Sequence, residues 1–302
     1  HINICGSGET LLPKEMPSII YNILKQGHYV MVITNGTINA RFDEISKFPK
    51  EYLNRLCFKF SFHYKELIRT QKMDDFFHNI EKMKKSGASF TLEMTPTDDL
   101  IPEIENIKKI CIERVGAYCH ITVARDESKR DIPILTNLTR KEYKKVWGSF
   151  ESKMFDFKMS TFNVKRREFC YAGEWSLFLN LVTGMANSCN YTLTRQNILK
   201  GVTKPIKFCA MGNCCPLPHC YNSHAFLTLG NIPTLKSPTY AETRNRVTQN
   251  GEEWLTSDMN SFLSNKLVEA NGEYSLAKKI KSNIVNGGLY LPRKLYITLT
   301  KK

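Results

Sequence analysis

Short apolar runs recur along the first half of the chain at a nearly constant interval. Ile2 to Cys5, Tyr29 to Ile33, Phe58 to Phe62, Phe90 to Met94 and Ile121 to Ala124 are each four or five residues long and rich in β-branched or aromatic side chains, the pattern of a strand. The strands begin near Ile2, Tyr29, Cys57, Ser89 and Tyr118, in steps of 27, 28, 32 and 29 residues. Between them the apolar spacing changes to that of a helix. Ile19, Ile20, Ile23 and Leu24 share one face, followed by Gly27. Phe76, Phe77, Ile80 and Met83 repeat this before Gly87, and Ile104, Ile107, Ile110 and Cys111 repeat it again. A last helix is predicted over 141–153. One strand and one helix per thirty residues is one β-α unit per period. The prediction is an α/β fold with a helix-covered parallel sheet, either doubly wound or a β-α barrel. In both, ligands bind at the C-terminal ends of the strands.

The predicted strand ends are polar. Gly6-Ser7-Gly8-Glu9-Thr10 follows the first and Thr34-Asn35-Gly36-Thr37 the second. The third ends in Ser61 and His63, the fourth in Glu93 and Thr95, the fifth in Arg125 and Asp126. Such a rim suits a polar cofactor, although surface loops are polar in any protein. His63 and Tyr64 also lie there, but aromatic groups at a strand end usually pack. The Gly-rich loop is not a dinucleotide fingerprint, because Thr10-Leu11-Leu12-Pro13 follows instead of a third glycine, and no phosphate-binding lysine follows. It offers backbone N–H groups beside one carboxylate, Glu9, a combination suited to a zwitterion.

Composition narrows the class. The 302 residues suggest about two domains, and 42% hydrophobic with 11% aromatic residues excludes a disordered chain. No apolar run approaches the roughly 20 residues of a membrane span, so no membrane partner and a cytoplasmic location are expected. The net charge of +14 allows an anionic partner. The lysines are scattered, however, and Lys82, Lys84, Lys85 and Lys278, Lys279, Lys281 read as solvated helix faces rather than a nucleic-acid stripe. The chain opens on His1 in an apolar run, and is expected to be a piece of a longer product.

Six of ten cysteines fall between positions 170 and 220. Cys209, Cys214, Cys215 and Cys220 crowd a stretch with Gly212, Pro216 and Pro218, which is loop chemistry. Disulfides or a metal site would explain the crowding; disulfides need an oxidising compartment, and a metal site is the expectation. Trp175, Leu177, Leu179 and Leu181 alternate like a strand, and Thr183-Gly184 suits a hairpin turn that would bring Cys170 close to Cys189.

Two segments resemble the radical S-adenosylmethionine (SAM) enzymes. Cys5-Gly6-Ser7-Gly8-Glu9-Thr10-Leu11-Leu12-Pro13 is similar to their Gly-Gly-Glu-Pro loop, and Val32-Ile33-Thr34-Asn35-Gly36-Thr37 to their next strand and its Thr-Asn-Gly end. Cys170, thirteen residues, Gly184, four residues and Cys189 resemble the opening of the SPASM or twitch auxiliary-cluster domain. The resemblance implies a partial β-α barrel over 1–155, beginning at its second strand, a Cys-rich iron–sulfur domain over 156–235, and a C-terminal helical extension over 236–302. It implies SAM held by Gly6, Gly8, Glu9 and Thr10 with Thr34 and Asn35, and by Ser61, Glu93 and Arg125 around ribose and carboxylate. It implies a 4Fe-4S radical cluster whose Cys-x3-Cys-x2-Cys ligands lie outside this chain, and one auxiliary 4Fe-4S cluster on Cys170, Cys189, Cys215 and Cys220. Cys209 and Cys214 are substitutes or bystanders, since the Cys-x2-Cys-x5-Cys-x3-Cys run of a full SPASM domain is absent from the sequence. Reductive SAM cleavage and hydrogen abstraction from a peptide or small-molecule substrate would follow, with ferredoxin or flavodoxin as electron donor. Two alternatives stay open: a non-catalytic metal- or SAM-binding barrel, and a zinc-stabilised nucleic-acid-binding protein, since four thiolates also suit zinc.

Overall fold

The computed structural model describes residues 1–129, 131–189, 196–199, 205, 206 and 208–288, with positions 295 and 299. The chain divides into two units, each described by itself. One comprises His1–Ala124, Thr136–Asp156 and Tyr240–Ser264; the other Arg125–Leu135, Phe157–Thr239 and Asn265–Lys302.

The first unit is built on β1 (Ile2–Ile4), β2 (Val30–Thr34), β3 (Leu56–Ser61), β4 (Ser89–Met94) and β5 (His120–Ile121). They form one five-stranded sheet in chain order, and every neighbouring pair is parallel. The fold is α/β. The strand order does not reverse anywhere, whereas a doubly wound sheet reverses at its ligand crevice. The connections carry α1 (Met16–Lys25), α2 (Asn39–Ile45), α3 (Lys50–Leu53), α4 (Tyr64–Arg69), α5 (Met73–Ser86) and α6 (Ile104–Val115). Their apolar spacing decides what they bury: Ile20 and Leu24 of α1, Phe76, Phe77, Ile80 and Met83 of α5, and Ile107 and Cys111 of α6.

Residues paired across parallel strands share a face of the sheet. Phe58 and Phe60 of β3 therefore face the same way as Phe90 and Leu92 of β4. Phe42 of α2 lies against Phe58 and Phe60, with ring centroids 5.4 and 5.7 Å away, and Phe76 of α5 meets Phe60 edge-on at 5.7 Å. The opposite face carries Cys57, Lys59 and Ser61 beside Ser89, Thr91 and Glu93. This face is polar, yet Ser89, Thr91 and Glu93 are buried.

The predicted helix over 141–153 is two helices, α7 (Arg140–Gly148) and α8 (Lys153–Thr161). Thr139 and Glu142 cap α7 reciprocally, side chain to backbone N–H. Glu151, at a φ of +52°, turns the chain before α8. The expected C-terminal helical extension does carry a helix at Leu276–Gly287, but over residues 240–264 it makes only a 3₁₀ turn at Ala241–Thr243 and a helix at Ser257–Ser264. Trp254 lies between them, buried, its carbonyl accepting from Phe90 N–H at 3.1 Å and its Nε1–H donating to the Val115 carbonyl at 3.0 Å.

The second unit carries an antiparallel sheet of β6 (Phe178–Asn180), β7 (Met185–Asn187) and β8 (Gln196–Asn197). The hairpin expected around Thr183-Gly184 is β6–β7. Residues 170–173 run beside 209–212: Cys170 and Gly212 exchange both backbone hydrogen bonds, at 3.1 and 3.0 Å, and the Met211 and Cys209 N–H groups donate to the Ala172 and Gly173 carbonyls, each at 2.9 Å. Gly173 sits at a φ of +97°, where a Cβ would come within 2.3 Å of the Cys209 carbonyl, so this close approach requires glycine.

Candidate functional site

The loop after β1 is tied to the end of β2 by one side chain. Glu9 Oε1 accepts from Leu11 N–H at 2.9 Å and from Thr34 Oγ1–H at 2.7 Å, and Oε2 accepts from Asn35 N–H at 2.5 Å. Thr34 Oγ1 in turn accepts from Gly36 N–H, and Thr10 Oγ1 from Gly6 N–H, both at 3.0 Å. Gly36 is required here: its φ is +75°, and a Cβ would lie 2.7 Å from the rings of Phe60 and Phe76. Gly6, Ser7 and Gly8 are exposed, while Thr10 and Thr34 are buried. Among the described residues, neither Ser7 nor Gly8 N–H meets an acceptor. A carboxylate has about four acceptor positions. Three of Glu9's are taken, which leaves one on Oε2.

Ser61 and Glu93 are neighbours by register across β3 and β4. Ser61 is half-buried. Glu93 is 7% exposed and sits between two cations, Oε1 with Lys59 Nζ at 2.8 Å and Oε2 with Arg244 Nη1 at 2.6 Å. An unpaired carboxylate there would be strongly unfavourable, so Glu93 is first an ion-pair partner. Arg244, 2% exposed, comes from the segment expected to form a C-terminal helical extension. The signal that could have found it was the lone acid inside an apolar strand, which demands a cation. His120, paired by register with Glu93, is buried. Burial first, then the charges of Arg246 and Arg244, hold its imidazole well below the usual histidine range.

The three other rim candidates are placed differently. Arg125 falls in the second unit, where Nη1 donates to the Tyr221 carbonyl at 2.8 Å and Nη2 pairs with Glu127 at 2.7 Å. The predicted fifth strand stops at Ile121, and Arg125 bridges Ile134 instead. Tyr64 is buried and donates to Glu103 Oε2 at 3.1 Å, a packing role. His63 is exposed just before α4.

In the second unit Cys170, Cys189, Cys215 and Cys220 line one cavity of about 50 Å³. The backbone pairing of Cys170 with Gly212 carries Cys215 toward it, and the β6–β7 hairpin returns Cys189. The walls are apolar: Cys170 and Cys220 pack on Phe157, Leu227 and Ile232, and Cys215 on Ile132, Leu217 and Tyr221. Burial first, then the proximity of the other thiols, pushes the Cys170 and Cys220 thiols well up. Four thiolates could not coexist there without positive charge among them. Cys209 and Cys214 do not line the cavity. Asn286 Nδ2–H approaches Cys209 Sγ at 3.9 Å, and Cys214 Sγ approaches the Asn283 carbonyl at 3.7 Å, both on the helix Leu276–Gly287. None of the ten cysteines forms a disulfide. Among the described residues no three His, Cys, Asp or Glu side chains converge closely enough for a single metal ion. Sequence reasoning missed Arg166 and Glu168, ion-paired at 3.2 Å on the cavity wall.

No family model and no curated protein matches this chain. Among solved structures it is similar to Streptococcus suis SuiB, with a TM-score of 0.41 and 12% identity over 68% of this chain. It is also similar to SuiB bound to S-adenosylmethionine, with a TM-score of 0.40 and 12% identity over 66%. The chain spans about half the length of those structures, 52% and 51%. Among the described residues no helix is long and apolar enough to cross a membrane.

Proposed function

We propose that this chain is part of a radical SAM enzyme, with SAM at the strand ends of the first unit and an auxiliary 4Fe-4S cluster in the thiol cage of the second. One observation carries this reading: four cysteines from three separate stretches of the chain line a single, mostly apolar cavity. Four thiolates are the donor set of an iron–sulfur cluster. Among the described residues no three such side chains converge on a single-ion site, which suits zinc less well than a larger multi-atom group. The sequential all-parallel sheet supports an arc of a β-α barrel.

The residues of the first unit divide the work of binding. The remaining acceptor position of Glu9 Oε2 suits the ammonium of the methionine moiety, and the Ser7 and Gly8 N–H groups suit its carboxylate. Thr34, Asn35 and Thr10 hold the loop in that shape. Ser61 offers a hydroxyl to the ribose, while Glu93 fixes Lys59 beside it. Bound there, SAM would supply hydrogen-abstracting chemistry toward a peptide or small molecule, with the radical cluster passing on an electron from ferredoxin or flavodoxin.

Anaerobic reconstitution of the full chain followed by iron and sulfide counting tests the cage. Wild type should hold about four of each, and Cys→Ala at 170, 189, 215 or 220 should remove most of both. Cys209→Ala and Cys214→Ala should leave them in place. Unchanged iron in all four variants, or zinc without sulfide, would overturn the assignment.

A further inference from the structure

The cavity wall is mostly apolar, with one ion pair, the buried His219 and Asn222 among the residues that line it. Arg166 and Glu168 are the charged residues that line it, joined through Nη1 and Oε1 at 3.2 Å. Arg166 is fixed beside the cage by its neighbour: Lys165 Nζ donates to the Leu217 carbonyl at 2.6 Å and also to the Cys215 carbonyl. Glu168 is held in turn by Arg167 N–H, which donates to its Oε2 at 2.9 Å. The Arg166 Nε–H is buried and meets no acceptor. A guanidinium always keeps its charge, and an unmet buried N–H is the exception in folded proteins.

A group carried by four thiolates would supply what Arg166 lacks. A 4Fe-4S core on four thiolates bears two negative charges when oxidised and three when reduced, and hydrogen bonds to its sulfurs together with local charge set its potential. In apolar surroundings the added charge is poorly screened, so a cation at the wall favours the reduced form.

We propose that Arg166 is the positioning residue that poises this cluster, donating from Nε–H to a thiolate sulfur and raising the cluster's reduction potential. The proposal rests on the cage being an iron–sulfur site. The step it governs is a one-electron reduction of the cluster by an external reductant. No bond is made or broken, and the proton on Nε stays where it is.

The test is a dithionite titration of the anaerobically reconstituted full chain with redox mediators, followed by electron paramagnetic resonance. Iron is counted for each variant. Arg166→Met should keep its iron and lower the midpoint by at least a tenfold shift in the one-electron equilibrium, about 59 mV. Arg166→Lys, which keeps the charge but not the planar donor, should fall between Arg166→Met and wild type. Glu168→Gln should raise the midpoint. A fully loaded Arg166→Met with the wild-type midpoint overturns the proposal and leaves the cage assignment standing. If Arg166→Met loses iron, the Arg166→Lys midpoint decides, a downward shift supporting the proposal and no shift overturning it. Loss of iron in both variants makes Arg166 a structural strut and overturns it. A wild-type chain that takes up no iron overturns both this proposal and the cage assignment.

Discussion

At the scale of single residues, Glu93 shows what the sequence hides. It lies in a strand whose six residues are all buried, and its two cations come from β3 and from 151 positions later. The acid was legible in Phe90-Thr91-Leu92-Glu93-Met94. Its distant partner was not, because no local pattern links position 93 to 244. Arg244→Met should cost up to about 3 kcal/mol, the low end for breaking a buried pair, since Lys59 remains. The double variant with Glu93→Gln should recover part of that loss in urea unfolding. His120 supplies a pH dependence. Its native ring stays neutral where an unfolded histidine takes a proton near pH 6.5. The unfolded state therefore binds more protons below that pH, and stability falls as pH drops from about 6.5 toward the depressed native value. Urea midpoints of the iron-free chain should decline from pH 7.5 to 5, and His120→Gln should flatten the decline. Parallel slopes for the two proteins would assign the effect elsewhere.

Among elements, period was more legible than coverage. The thirty-residue repeat located all five strands to within about two residues, because each apolar run is bounded by glycine or polar residues. The alternation in Phe58-Lys59-Phe60-Ser61-Phe62 normally signals a half-solvated strand, whereas here the polar side is also largely covered. Part of that covering comes from residues 240–264, which lie in the segment expected to be a helical extension. The predicted 141–153 helix failed at Glu151, whose left-handed backbone no propensity scale anticipates. The Gly6–Thr10 loop was legible as a motif, but not the way Glu9 ties it to β2. Glu9→Gln removes the charge and turns one of its two accepting oxygens into a donor, which also breaks part of the tie to β2. It should weaken SAM binding at least tenfold, as expected for losing a charge-assisted hydrogen bond of about 1.5–3 kcal/mol. Equilibrium dialysis measures this, and equal affinity would remove Glu9 from the site.

On the scale of the whole chain, the cage lies entirely within the second unit. A group that binds only the native state stabilises what holds it. Stripping iron with a chelator should therefore raise amide exchange across Phe157–Thr239 and leave β2, β3 and β4 protected, as read by mass spectrometry. Equal loss in those strands would mean that the metal supports more than its own unit. The first unit is also discontinuous, and this has a consequence for synthesis. At roughly 5–20 residues per second, a ribosome that has just added Glu93 needs about 8–30 s to reach Arg244. Throughout that interval the nascent sheet lacks the Arg244 guanidinium and the 240–264 segment that help cover its polar side. A growing polypeptide in that state is a natural client for a chaperone, and a premature stop before residue 244 would leave it there permanently.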